Sequence, residues 1–142
     1  MSRIDRGKEA ARDRIRQSGL RPTRQRLALA KLLFENGHRH VTAESLHAES
    51  KSAGDRLSLA TVYNTLHQFT AAGLLRQVTV EAGRSYFDTN VSDHHHFLVE
   101  RSGELIDIPA EAIDVRKLPL APKGHEVARV DVIVRVKPVE RR

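Results

Sequence analysis

The stretch Ser58 to Phe69, SLATVYNTLHQF, reads as a helix with work to do on two faces. Ser58 is a good N-cap, Leu59, Val62, Leu66 and Phe69 recur at helical spacing, and Gly73 ends the element. Ala60, Thr61, Asn64 and Gln68 point the other way. A helix that enters the major groove of DNA needs small or hydrogen-bonding side chains near its N-terminus, so that its backbone approaches closely and side chains reach base edges. Here Ser58 and Thr61 can bond phosphate or base, Tyr63 can contact a thymine methyl, and Asn64 can pair with adenine. A plain amphipathic helix with a solvated face has the same pattern, so the surroundings decide.

Upstream, a first helix covers roughly 3–17 and ends before Gly19. A second follows Pro22 and Thr23, carries Leu29, Leu32 and Leu33, and stops at Asn36 and Gly37. A third starts at the N-cap Thr42 and runs to about Ser52. Downstream, LLRQVTV and RSYFD are β-rich runs joined by Glu81, Ala82 and Gly83, which read as a hairpin. Helices followed by a hairpin are the parts of a winged helix-turn-helix. Arg21, Arg24 and Arg26 near the second helix, and Arg76 in the first wing strand, would grip phosphates.

Beyond residue 90 the pattern is that of strands. HHHFLVE and ELIDI flank Arg101, Ser102 and Gly103 as a second hairpin, and a short helix is expected over 110–117. From Ala128 to Lys137 residues alternate, with Ala128, Val130, Val132, Val134 and Val136 on one side. That apolar sheet face is too large for so small a segment to cover alone, and a second copy of the chain is the economical partner. The expected class is α+β: an N-terminal winged helix-turn-helix domain over 1–90, then a small α/β dimerisation and effector-sensing domain over 91–142.

Composition agrees with a polyanion partner for the first part. Residues 1–90 carry 15 Lys and Arg against 9 Asp and Glu, a net +6, whereas 91–142 carry 9 of each. No apolar run approaches the ~20 residues that cross a bilayer, and the charged start lacks a signal peptide's apolar middle. A soluble cytoplasmic protein with no membrane partner is expected. The absence of cysteine excludes disulfides and thiolate metal sites, so any metal is held by nitrogen and oxygen.

Asp88 to Glu100, DTNVSDHHHFLVE, holds three of the eight histidines. On a strand His94 and His96 point to one face and His95 to the other, so the H-x-H pair can aim two imidazoles at one ion. A polar loop with fortuitous metal affinity is the bland alternative. His38, His47, His67 and His125 read as surface or hydrogen-bonded residues.

Taken together, GLRPTRQRLAL, HVTAESL and SLATVYNTLHQFTAAGLL resemble the winged-helix domain of the ferric uptake regulator family, whose hallmark is the A-T-V-Y stretch, here Ala60 to Tyr63. The likeness runs from about Gly19 to the end of the chain. FDTN followed by HHH, and the lack of cysteine, look most like the iron response regulator branch. The resemblance implies a transcriptional regulator of iron and haem genes that binds operator DNA as a homodimer and is not an enzyme. It implies a metal site at His40, Asp88, His94, His96 and Asp107, in the aspartate-containing pattern of peroxide-sensing members. Three nitrogens and two carboxylates suit Fe(II) or Mn(II), with Zn(II) in a purified sample, rather than Ca(II). An ion joining residues of both domains would fix the angle of the DNA-reading part.

The resemblance also implies haem as effector, at His94, His95 and His96, since the Cys-Pro haem motif is missing. Haem would then compete with metal for the imidazoles and loosen the operator. Val99 and Ser102 stand where most members have C-x-x-C thiolates, so no Cys-bound structural zinc is expected, and His125 misses the family's second site. A Mn(II)-, Fe(II)- or peroxide-responsive repressor without haem is the alternative within the family. Outside it, a His/Asp cluster with an open position could serve a small metal-dependent hydrolase, although no general base accompanies it.

Overall fold

The computed structural model describes residues 3–81 and 84–140, in two compact units, Met1–Val91 and Ser92–Arg142. Among the described residues no helix is long and apolar enough to cross a membrane.

The first unit opens with α1 (Arg3–Gln17) and α2 (Arg24–Phe34). Thr23 starts α2 by accepting the Arg26 N–H on its hydroxyl. A two-residue strand, β1 (His40–Val41), precedes α3 (Ala43–Ser52). Thr42 and Ser45 cap α3 reciprocally, each side chain accepting the other's backbone N–H at 3.0 Å. Then follow α4 (Leu59–Ala71), capped by Ser58, and the strands β2 (Arg76–Glu81) and β3 (Arg84–Asp88). Ile15, Leu29, Leu33, Leu46, Val62, Leu66, Phe69 and Phe87 are fully buried together, so all four helices and the central strand share one core. Leu59 departs from expectation: it stands at the first turn of α4 and is 39% exposed, while Thr65 takes a buried place on that face. Gly73, at φ 81, turns the chain out of α4 into the wing.

The expected hairpin is present and antiparallel, with its turn residues Ala82 and Gly83 outside the described residues. Sequence patterning did not reveal β1, whose two residues are too few to show a period. It pairs with β3 and makes a three-stranded sheet of order β1-β3-β2.

The second unit is one sheet of order β5-β4-β6, from β4 (His94–Val99), β5 (Leu105–Pro109) and β6 (Ile133–Val136). The hairpin β4–β5 is antiparallel, and β6 returns parallel to β4. The helix expected over 110–117 is a single 3-10 turn, Ala110–Ala112, because Ile113 is already extended at φ −122 and ψ 127. The last strand is shorter than expected as well. Pairing with β4 begins at Ile133, opposite His96, next to the Val132 carbonyl that accepts the His96 N–H at 3.2 Å, and the alternation further upstream does not become a strand. Val134 lies opposite Phe97, and Phe97 opposite Ile106, which places three apolar residues on one face, all partly exposed. His94, His96 and Asp107 lie on the other face.

Hydrogen bonds close the β4–β5 turn around Val99 and Ser102. Val99 donates to the Glu104 carbonyl at 2.9 Å, Gly103 to the Val99 carbonyl at 2.8 Å, and Glu104 to the Ser102 hydroxyl at 3.2 Å. Thorough chelation is therefore expected to leave the helix and strand signal in far-ultraviolet circular dichroism unchanged. Collapse of that signal on metal removal would contradict this account.

Candidate functional site

Two groups of potential ligands stand out, one in each unit. In the first, the β1–β3 ladder sets His40 directly opposite Asp88. Their side chains share a face, and His40 Nε2 lies 3.1 Å from Asp88 Oδ2. The other oxygen, Oδ1, accepts the Asn90 N–H at 2.9 Å, which holds the carboxylate in one orientation. Flanking bonds lock the pair. The Arg39 N–H donates to the Thr89 hydroxyl at 2.8 Å, and the Arg39 guanidinium grips both Glu49 oxygens at 2.8 and 2.6 Å, tying the entry of β1 to α3. These bracing residues were not found from the sequence, because the contact between 39 and 89 is long-range.

In the second unit the alternation along β4 brings His94 and His96 to one face, with ring centroids 4.5 Å apart. Their Nε2 atoms lie 3.3 and 3.5 Å from the same oxygen of Asp107 on β5. The His94 Nδ1 is 2.6 Å from the Ser92 carbonyl. A carbonyl can only accept, so Nδ1 carries a proton and the Nε2 edge of the ring is turned toward Asp107. That second contact is the usual device for aiming an imidazole at a metal. Two imidazoles and one carboxylate oxygen in this arrangement form a His/Asp cluster that could hold an ion such as Mn(II), Fe(II) or Zn(II).

His95 is buried on the opposite face, where its Nδ1 accepts the Val132 N–H at 3.1 Å. It joins β4 to the segment entering β6. Of the remaining histidines, His47 reaches the Leu57 carbonyl at 3.0 Å and His125 the Lys123 carbonyl at 3.1 Å, while His38 is exposed.

The residues picked for DNA contact divide into three groups. Arg21, Arg24, Ser58 and Asn64 are exposed, and Thr61 is partly so. Ser58 uses its hydroxyl to cap α4, accepting the Thr61 N–H at 3.1 Å and donating to the Thr61 hydroxyl at 3.0 Å. Tyr63 packs partly on the core and stacks on His67 at 5.6 Å between centroids, and His67 meets the edge of Phe87 at 5.5 Å. His67 is thus a brace between α4 and β3, a role the sequence did not suggest.

Two arginines expected on phosphates, Arg26 and Arg76, have other surroundings in the folded chain. Arg26 is held at the surface between two helices: its Nε and a terminal nitrogen donate to the Gln68 side-chain oxygen at 3.2 and 3.0 Å, and the other terminal nitrogen donates to the Arg21 carbonyl at 2.8 Å. It clamps α2 to α4. Arg76 is only 5% exposed, on the face of β2 that the buried Val78 and Val80 continue, opposite the face that carries Phe87 into the helical core.

Comparison with known proteins places this arrangement. Residues 17–135 match the sequence profile of the ferric uptake regulator family. The ferric uptake regulation protein of Shigella flexneri is 34% identical over 110 residues, which span 77% of this chain and 74% of that protein. A structure of the ferric uptake regulator of Pseudomonas aeruginosa with manganese superposes with a TM-score of 0.68 and 25% identity, covering 92% of this chain and 98% of the other. The Vibrio cholerae ferric uptake regulator shares the fold at a TM-score of 0.70 and 23% identity, over 89% and 98% of the two chains.

Proposed function

The chain belongs to the ferric uptake regulator family, and on that premise we propose that it is a metal-responsive transcriptional regulator that binds operator DNA as a homodimer. The observation that carries the metal half is the convergence of the His94 and His96 Nε2 atoms on Asp107, with the Ser92 carbonyl orienting His94. Those three residues offer two nitrogens and one oxygen, and His40 with Asp88 offers one of each. The full set of five offers the mixed nitrogen and oxygen donors that suit Mn(II) or Fe(II). A bound ion would supply positive charge to balance these carboxylates. His40, Asp88, His94, His96 and Asp107 are the ligand set of this reading, and metal binding by them would favour the DNA-bound arrangement.

Exposure of Ser58 and Asn64 at the start of α4 supports base contact, with Thr61 and Tyr63 beside them and Arg21 and Arg24 on the phosphates. The apolar face of Phe97, Ile106 and Val134 supports association with a second copy of the chain. Haem is less well supported than metal, because His95 would have to release the Val132 N–H to act as an axial ligand.

The test is a titration of operator affinity on the chelated protein with Mn(II), Fe(II) and haem, on an operator obtained by selection from random duplexes. A change of about tenfold or more with Mn(II) or Fe(II) is expected, the coupling of ~1–3 kcal/mol usual between effector and ligand sites. A response to haem alone would transfer the effector role to His94, His95 and His96. Indifference to all three would remove effector control altogether.

A further inference from the structure

The register of the first sheet lines up three ionisable residues in one row, His40 on β1, Asp88 on β3 and Arg76 on β2. Directly opposed residues of antiparallel strands carry their side chains on the same face. Asp88 is 0% exposed and Arg76 5%. Buried charge is tolerated when it is compensated, and an isolated carboxylate in this position would be expensive. The Asn90 N–H and the His40 ring give Asp88 hydrogen-bonding partners, but neither brings a permanent positive charge. Arginine does, since its guanidinium stays protonated at any physiological pH. Arg76 also stands out among its neighbours: the same face of β2 otherwise carries the buried apolar residues Val78 and Val80.

We propose that Arg76 is the resident counter-ion of Asp88, a positioning residue that balances the buried carboxylate when no metal is bound and opposes the metal's charge when one arrives. The first role holds Asp88 in place in the metal-free protein. The second weakens binding: a dication bound by Asp88 sits near a fixed positive charge, so the site holds metal less tightly than its five ligands alone would. A regulator gains from this, because an ion held too firmly never leaves when its supply falls. The metal half of this inference rests on the ligand set proposed above, whereas the counter-ion half does not.

Both halves are tested on the full chain. Thermal unfolding of chelated protein is compared for wild type, Arg76→Gln, Asp88→Asn and the double variant. Arg76→Gln is expected to lower Tm by roughly 10 °C, since it leaves a buried carboxylate uncompensated, and by much less when Asp88 is already asparagine. Arg76→Lys keeps the charge and recovers most of the loss. Failure of Arg76→Gln to fold, relieved by Asp88→Asn, is the same coupling in stronger form. Additive effects, or failure to fold in both backgrounds, overturn the counter-ion. Mn(II) affinity, measured by competition with a fluorescent chelator, is expected to rise about tenfold in Arg76→Gln and to stay near wild type in Arg76→Lys. Affinity that is unchanged or lower in Arg76→Gln overturns the opposing role. If wild type binds neither Mn(II) nor Zn(II) while the coupling to Asp88 is present, the five-ligand reading falls and the counter-ion pair stands.

Discussion

In a His94→Ala, His96→Ala double variant, Mn(II) affinity is expected to fall by at least ~100-fold, with ~10-fold or more lost in each single variant. The reason is geometric. Both Nε2 atoms already converge on one Asp107 oxygen, so each ring supplies a donor in place, and no other imidazole lies on that face of β4. His95→Ala is the control. Its ring lies on the opposite face and accepts from Val132, so its loss costs about 1 kcal/mol of stability and leaves metal affinity alone. Competition titrations with a fluorescent chelator measure the first effect, and denaturant midpoints the second. A double variant that binds Mn(II) as tightly as wild type would place the metal elsewhere.

Operator affinity is expected to drop ~10³- to 10⁵-fold between about 50 and 200 mM salt, the fall that accompanies release of counterions from six to ten phosphates. Substitutions should then separate by role. Asn64→Ala, and Tyr63→Phe or Tyr63→Ala, are expected to cost ~1–3 kcal/mol at particular base pairs and to leave the salt slope unchanged. Arg21→Ala and Arg24→Ala should weaken binding on all sequences alike and lower the slope by ~1 each. Arg26→Ala acts differently, because it breaks the clamp from α2 to Gln68 of α4 and so lowers stability as well as affinity. Fluorescence anisotropy over a salt series, with matched and scrambled duplexes, reads all of these. Affinity indifferent to salt and to sequence would exclude DNA as the partner.

How much of this was legible beforehand follows from the range over which each feature is determined. Helix caps are local, and Thr23, Thr42 and Ser58 act where their positions in the sequence put them. The strand period is local too, so the common face of His94 and His96 could be read from H-x-H before any coordinates. Asp107 needed one further step, the hairpin register that sets it opposite His96. The register of the first hairpin also implied that Arg76 faces Asp88, yet the excess of basic charge suggested a surface role. Charge counts carry no information about burial. Three things came only with tertiary structure: the two-residue strand that sets His40 against Asp88, the Arg26 clamp on Gln68 with the burial of Arg76, and the loss of the expected helix over 110–117. The strand and the clamp depend on partners distant in sequence. The sequence alone determined the α+β class, the winged helix and the H-x-H face, because propensity, capping and alternation act over a few neighbouring residues. Tertiary structure decided which charged side chains are buried and what they face, because that is settled by pairing between strands 12 to 48 residues apart along the chain.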